Sequence, residues 1–251
     1  MKISIIIATW NAGKTLQECL DSIIPQLTKE VELIVIDGNS NDNTMDILNN
    51  NRHFISYLIS ESDYGIYDAW NKGIRVSRGN WLMFIGADDK LLATAITDYL
   101  NFISKVESSF DIISSKRLMT DIDGKEIRTV GSIWSWPSCL KGMPISHPGA
   151  LHNRKLFDDV GLYSLNYKIA ADYELLLRKG SVLETAFIDK ITIVVSEGGV
   201  SDSYKAIKEY YKVLKSCSNV SFLKVLMLWL NMSVRYFVKK GLRVLGVNIH
   251  S

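Results

Sequence analysis

Polar side chains able to bind ligands or move protons recur in this sequence directly after apolar runs. Thr9 and Asn11 follow residues 3–7, Asp37 follows 31–36, Glu61 and Asp63 follow 55–60, and Asp88 and Asp89 follow 81–85. Such a lining of acceptors suits a nucleoside, whose base and ribose offer N–H and O–H donors, together with a divalent cation. It does not suit bare phosphate, which carboxylates repel unless a metal lies between them. Other candidates stand alone: His147 in Ile-Ser-His-Pro-Gly, and Asp172 and Glu174 at the start of a helical pattern over 171–179 that stops at Gly180. Competing structural readings apply to each. Acids at a helix start are favoured by the helix dipole, and a lone histidine commonly serves packing.

The elements that must position these residues follow from periodicity. Residues 3–7 are a β-branched run, after which Leu16, Cys19, Leu20, Ile23, Ile24 and Leu27 recur at helical spacing. Residues 31–36 form a second apolar strand, closed by a polar loop over 37–43 and a short helix at 44–48. Strands at 55–60 and 81–85 flank a helix over 68–77. This is βαβαβαβ: an α/β, Rossmann-like unit with a mostly parallel central sheet flanked by helices, which binds ligands beyond the carboxyl ends of its strands. Further along, the pattern predicts a helix over 91–106, a strand at 110–114, a hairpin tip at Asp123-Gly124 and irregular backbone over 134–148. Two strands at 182–188 and 191–195 precede a loop or lid at Gly198-Gly199-Val200-Ser201 and C-terminal helices.

Composition narrows the function classes. The 251 residues are 47% hydrophobic and 22% charged with four prolines, which excludes a disordered or low-complexity chain. Lys plus Arg number 29 against 27 acids, a net charge of +2, which gives no support for nucleic-acid binding. Cys19, Cys139 and Cys217 lack zinc spacing, so a reducing cytoplasm is the natural compartment. The N-terminal apolar run is too short for a signal peptide, and no stretch reaches the ~20 apolar residues that cross a bilayer.

Residues 8–15, Ala-Thr-Trp-Asn-Ala-Gly-Lys-Thr, match the phosphate-loop spacing GxxxxGK[ST] except at the first glycine, and a nucleotide hydrolase is one reading. Against it, the loop has a single glycine and carries bulky Trp10. Taken with Asp37-Gly38-Asn39-Ser40-Asn41-Asp42-Asn43-Thr44, the stretches 65–73 and 79–89, and Ala171-Asp172-Tyr173-Glu174, the Ala8-Thr9-Trp10-Asn11 segment resembles the family 2 glycosyltransferases, inverting enzymes of the A-type fold. The resemblance spans about residues 1–200 and rests on the order and spacing of the motifs together.

That resemblance implies a metal-dependent transfer of sugar from a nucleotide-sugar donor to a glycan or polyprenyl-diphosphate-linked acceptor, in bacterial envelope polysaccharide synthesis. It implies Asp172 as general base, and Thr9, Asn11, Asp37, Asn71 and Asp88 as the donor-binding set. Asp88 is the implied ligand of Mn²⁺ or Mg²⁺, with Asp89 either assisting or capping the next helix. Glu61, Asp63 and His147 are weaker candidates for acceptor or diphosphate. The family's acidic metal motif falls on Gly86-Ala87-Asp88, so its first acid is absent, which prompts the alternative of a non-catalytic sugar-nucleotide-binding module. Residues 1–202 then form the catalytic domain and 203–251 a helical extension. Over 222–247 that extension is apolar and basic without an acid, which suits either a peripheral contact with the inner membrane face or packing against the catalytic domain or another subunit.

Overall fold

Isoleucine fills both faces of the first strand, β1 (Ile3–Thr9). Ile3, Ile5 and Ile7 pack into one core cluster and Ile6 into another, all fully buried. A strand covered on both sides is what a parallel sheet between helical layers demands. A computed structural model of the chain describes residues 2–106, 110–121, 123–199, 201, 203–217 and 220–244. After β1 come α1 (Leu16–Ile23), β2 (Val31–Asp37), α2 (Thr44–Asn50), β3 (Tyr57–Ser60), α3 (Ile66–Val76) and β4 (Trp81–Gly86). There follow β5 (Lys90–Leu91), α4 (Ala95–Ile103), β6 (Ile112–Thr120), β7 (Glu126–Val130), α5 (Trp136–Cys139), β8 (Leu151–Asn153) and α6 (Arg154–Val160). The chain continues through α7 (Ala171–Lys179), β9 (Thr185–Ser196), α8 (Tyr204–Cys217) and α9 (Phe222–Val244).

The described strands make one nine-stranded sheet in the order β3-β2-β1-β4-β8-β6-β9-β5, with β7 paired to β6. The run β3-β2-β1-β4 is parallel. Beyond it the sheet is mixed: β8 is antiparallel to β4 and β6, while β6 runs parallel to β9. Helix α1 lays Leu16, Cys19, Leu20 and Ile23 on one face of the sheet, and α3 lays Tyr67, Trp70 and Ile74 on the other. Both stripes have the i, i+3, i+7 spacing of an amphipathic helix.

Several expected boundaries shift for local reasons. The third strand starts at Tyr57 because Arg52–Phe54 is spent on a 3-10 turn. The helix expected over 91–106 is confined to Ala95–Ile103, because Lys90 and Leu91 pair with Val194 and Ile193 of β9. What reads as two strands at 182–188 and 191–195 is one, bent where exposed Asp189 and Lys190 interrupt the apolar pattern and the pairing with β6 shifts register. The stretch 134–148 contains α5, and the short β8 and α6 after it carry too few residues for a periodic signature.

Helices α8 and α9 are docked. Val213, Leu214 and Val225 share a core cluster with Cys139, Ala170, Tyr173 and Leu177. Of the two segments expected from the sequence, residue 202 and the tail from 245 onward lie outside the described residues, as does Val200 of the expected lid.

The turn into β4 is close-packed against β1. A Cβ on Gly79 would stand 2.6 Å from the Ser4 backbone nitrogen. Its own N–H donates to Ser4 Oγ at 2.8 Å, and Ser4 Oγ donates to Glu32 at 2.6 Å. Gly79→Ala is expected to lose about 1–3 kcal/mol of stability through overpacking. Gly199→Ala, whose nearest new neighbour is 3.9 Å away, should stay within about 0.5 kcal/mol of the parent. Urea denaturation of the two variants checks the pair.

Candidate active site

The strand order reverses at β1, which lies between β2 and β4, so the loops leaving β1 and β4 diverge and open a crevice at the carboxyl edge of the sheet. Register places Thr9 beside Asp37 and Ala8 beside Gly86 at that edge.

On the β1 and β2 side, the loops are tied to each other by their own polar groups. Asp37 is fully buried and accepts from the Ser40 N–H at 3.0 Å, from Ser40 Oγ and from Ser60 Oγ at 2.7 Å. Asn11 stands at φ 48°, the left-handed conformation that Asn tolerates. Its Oδ1 accepts from the Asn41 N–H at 2.9 Å. The backbone amides of Asn11, Ala12 and Gly13 donate to Ser40 Oγ, Thr44 Oγ1 and Asp42 Oδ2. A phosphate cradle needs those N–H groups free. They are taken, and the hydrolase reading of residues 8–15 is corrected on that ground.

What the loops leave open is a recess of about 260 Å³ lined by Thr9, Trp10, Asp63, Gly65, Ile66 and Ala69. The Thr9 hydroxyl is buried there without a hydrogen-bond partner among the described residues. Asp63 accepts from the Gly65 N–H at 2.8 Å, and Trp10 is an exposed aromatic face at 69%. An aromatic plane, a carboxylate and an orphaned hydroxyl around a slot are groups that stack on and hydrogen-bond a base or ribose.

On the β4 side, Asp88 is exposed and Asp89 is buried directly beside it. Asp89 folds back to accept from the Gly86 N–H at 2.8 Å and does not cap a helix, correcting that option. Burial and the adjacent Asp88 charge push the Asp89 carboxyl up to about 7. A Cβ on Gly86 would meet Asp88 Oδ1 at 2.8 Å and Asp89 Oδ2 at 3.2 Å. The space an acid at 86 would use is therefore filled by the acids at 88 and 89.

Both acids line a cleft of about 500 Å³ that runs from Trp70 and Gly86 past Arg117 and Arg128 to Tyr210, Met232 and Tyr236 of α8 and α9. Asp172 is not part of that lining; it is coupled to it through Arg117 and Tyr210, which line the cleft and feel its charge. The chain before it is fixed by Glu209 of α8, whose carboxylate accepts from the Lys168, Ile169 and Ala170 amides, the free donors at the start of α7. Asp172 Oδ1 accepts from the Tyr173 N–H at 2.8 Å and lies 3.0 Å from Tyr67 Oη, whose single proton also faces the Ile169 carbonyl at 2.7 Å. Loss of hydration raises the Asp172 carboxyl to about 6 against these hydrogen bonds and the Arg117 charge. Arg117 feels the charges of both Asp89 and Asp172, and Tyr210 feels that of Asp172. Glu174, the local competitor, is buried in an ion pair with Arg178 at 2.9 Å and faces Cys217.

Other expected site residues sit elsewhere. Asn71, expected at the donor, is buried and bridges the backbone of Tyr163 in both directions, at 2.9 and 3.0 Å. His147, expected at acceptor or diphosphate, is buried with its ring stacked on Trp70 at 4.9 Å and Nε2 at 2.9 Å from Tyr163 Oη. Burial drops its pKa to about 3, so it stays neutral. Both sit in the core behind Trp70 and Tyr163. Glu61 is exposed in a salt bridge with Lys72. The sequence reading passed over Arg117, Arg128, Tyr67 and Tyr210. The available signal was weak: two arginines two residues out of register on a hairpin, and tyrosines at ordinary core spacing.

A model of Glycosyl transferase family 2 matches residues 4–153. The chain is 32% identical over 232 residues to a PGL/p-HBAD biosynthesis glycosyltransferase of Mycobacterium tuberculosis, covering 90% of this chain and 88% of that one. It is 24% identical over 237 residues to the poly(ribitol-phosphate) beta-glucosyltransferase of Bacillus spizizenii, covering 83% and 37%. Among solved structures, S. aureus TarS residues 1–349 in complex with UDP-GlcNAc superposes with a TM-score of 0.70 at 18% identity, covering 99% of this chain and 77% of that one. A mannosyltransferase from Pyrobaculum calidifontis in complex with GDP-Man and Mn²⁺ gives a TM-score of 0.63 at 13% identity, covering 88% and 65%. Both superpositions speak for the fold.

The raised Asp172 carboxyl has a sign that stability reads. The folded chain keeps this proton up to about pH 6, while an unfolded Asp releases it near about 3.9. Between those values the native state binds the extra proton, so stability falls as pH rises. Asp172→Asn should therefore melt a few degrees above the parent at pH 8, with the difference gone by pH 4. Equal melting temperatures at pH 8 would contradict a desolvated carboxylate.

Proposed function

Since the chain belongs to Glycosyl transferase family 2, has the A-type fold and is a glycosyltransferase, we propose that it moves a sugar, with inversion, from a nucleotide-sugar donor to a hydroxyl of a glycan or lipid-linked acceptor. Its relatives named for glycolipid and poly(ribitol-phosphate) glycosylation support a place in envelope polysaccharide or glycolipid synthesis. The observation that supports the mechanism is the Asp172 carboxyl, raised to about 6 by loss of hydration and coupled to Arg117, which lines the cleft together with Asp88. A general base works best with a pKa near the working pH. Asp172 takes the acceptor hydroxyl's proton as its oxygen bonds to the anomeric carbon and the bond to the diphosphate oxygen breaks. Tyr67 orients the carboxylate through the 3.0 Å contact.

In this reading the recess at Thr9, Trp10 and Asp63 takes the nucleoside. Asp37 and Asn11 shape it by bracing the loops, and Asn71 and His147 act only by packing. TarS with UDP-GlcNAc and the mannosyltransferase with GDP-Man are fold relatives in which such donors are bound.

The acids at 88 and 89 fit a hard divalent cation. They are adjacent oxygen donors; burial and then the Asp88 charge raise Asp89, and a cation relieves the repulsion between them. Among the described residues no group of three or more His, Cys, Asp or Glu side chains forms a fuller cage, so substrate and water must complete the shell. Mn²⁺ or Mg²⁺ held there would offset the charge that develops on the leaving diphosphate.

Helix α9 supports contact with a membrane surface. Leu223, Met227, Leu230, Val234, Phe237 and Val238 are exposed on it, and at 3.6 residues per turn they fall within an arc of about 100°. Lys224 and Arg235 border that arc on one side and Lys240 on the other, and no acid occurs in the helix. A second copy of so basic a helix would repel it, whereas anionic headgroups complement it. No helix among the described residues is long and apolar enough to cross a membrane, and the exposed stripe of α9 suits a peripheral contact.

Asp172→Asn is expected to lower transfer by roughly 10²–10⁴-fold with donor affinity little changed. Asp88→Ala should instead weaken Mn²⁺-dependent donor binding in calorimetry. Full turnover in the first variant, or unaltered binding in the second, removes the assigned role.

In co-sedimentation with vesicles, the protein should bind phosphatidylglycerol/phosphatidylcholine mixtures and leave pure phosphatidylcholine. Leu230→Asp with Val234→Asp should abolish binding. Equal binding of that variant would remove the lipid contact, and a concentration-dependent dimer lost in the same variant would assign the stripe to a second copy.

A further inference from the structure

Arg117 and Arg128 line the same cleft. Arg117 on β6 pairs across the hairpin with Val130, and Met119 with Arg128. Residues two apart on a strand share a face, so Arg117 and Arg128 are diagonal neighbours on one side of the hairpin, the side that lines the cleft. The Nε atoms of both are buried with no hydrogen-bond partner among the described residues. Each guanidinium is a planar fork of donors, and a buried donor left unmade carries a desolvation penalty. Arg117 is itself disfavoured as a cation, first by burial, with the Arg128 charge adding to the effect. The Asp89 charge and, more weakly, that of Asp172 offset this.

Asp88, Asp89 and Glu197 are the acids of the same lining, and none of them takes up the Nε donors of the two arginines. An anion between them satisfies both forks and cancels their repulsion, and bidentate arginine geometry matches phosphate oxygens. We propose that Arg117 and Arg128 form a phosphoryl subsite that holds a phosphate or diphosphate group of a substrate between the Asp88 end of the cleft and Asp172. Met232, Tyr236 and Ile207 continue the same wall, so beyond the anion the surface is apolar. The inference rests on reading this cleft as the transfer site, and it deepens that reading by requiring one bound substrate to present phosphate oxygens there. Two sources carry that chemistry: the donor's diphosphate, or a phosphate linking the acceptor to its lipid.

The test is calorimetric and uses the full chain in EDTA, so that no cation bridges phosphate to Asp88. Inorganic pyrophosphate should bind the parent saturably and more weakly as salt rises. Arg128→Gln, at the outer strand of the hairpin, should weaken binding about ten- to a hundred-fold, the scale of a charge-assisted hydrogen bond. Arg117→Lys keeps the charge, loses the fork, and should weaken it too. Undiminished pyrophosphate affinity in both folded variants, or no saturable binding to the parent, overturns the subsite. Two further arms identify the source: UDP or GDP for the donor, and farnesyl phosphate for a lipid-linked acceptor. Weakened binding of either by Arg128→Gln supports the subsite and assigns it, and loss of neither overturns it. If pyrophosphate binding depends on the arginines but no nucleotide sugar yields transfer, the transfer reading fails while the subsite stands.

Discussion

A carboxylate deprived of water at the mouth of a helix is the constraint around which this molecule is arranged. Hydration is the largest stabiliser of a charged acid, and Asp172 gives up enough of it to hold its proton to about pH 6. Keeping that group in place takes three separate elements. Helix α7 supplies the Tyr173 amide, α3 supplies Tyr67, and α8 supplies Glu209 to fix the segment just before the acid. The C-terminal helices are thus part of the site. Remove α8 and the amides of Lys168, Ile169 and Ala170 lose their acceptor, and with them the approach to the acid.

The opposite end of the crevice is organised by saturation. Loops leaving β1 and β2 present several amides and carboxylates that look from the sequence like ligand contacts, yet most are used up within the protein. Asp37, Ser40, Asn11, Asp42 and Thr44 form a closed network. Its product is a rigid rim, and the groups left over, chiefly the Thr9 hydroxyl and the Trp10 ring, line the recess between the loops. Rigidity of this sort matters to binding because loop ordering is done before the ligand arrives.

How much of this was legible beforehand depended on whether a residue's role is local. Strands β1, β2 and β4 and helices α1 and α3 announce themselves through unbroken apolar runs and helical spacing, since their burial depends on near neighbours in sequence. The bend in β9 misled because Asp189 and Lys190 are exposed in the middle of a strand whose pairing is set by β6, more than 70 residues away. The same division holds in the site. Asp88 and Asp89 stand at a strand end and could be read. Asn71 and His147 could not be placed, since what commits them is Tyr163, a partner supplied by a distant loop. Arg117 and Arg128 escaped because a cation on a hairpin looks like solvent-facing decoration until α8 and α9 close over it.

Gly86 shows how far one small residue constrains what surrounds it. Asp89 has moved into the volume a side chain would need there, anchored to the Gly86 amide. A lineage that acquired an acid at 86 by a single codon change would meet two resident carboxylates and pass through a crowded, like-charged intermediate. The nearer of the two is Asp88, the free end of an exposed side chain, so the cost of a third acid there lies in added like charge, which a bound cation would offset.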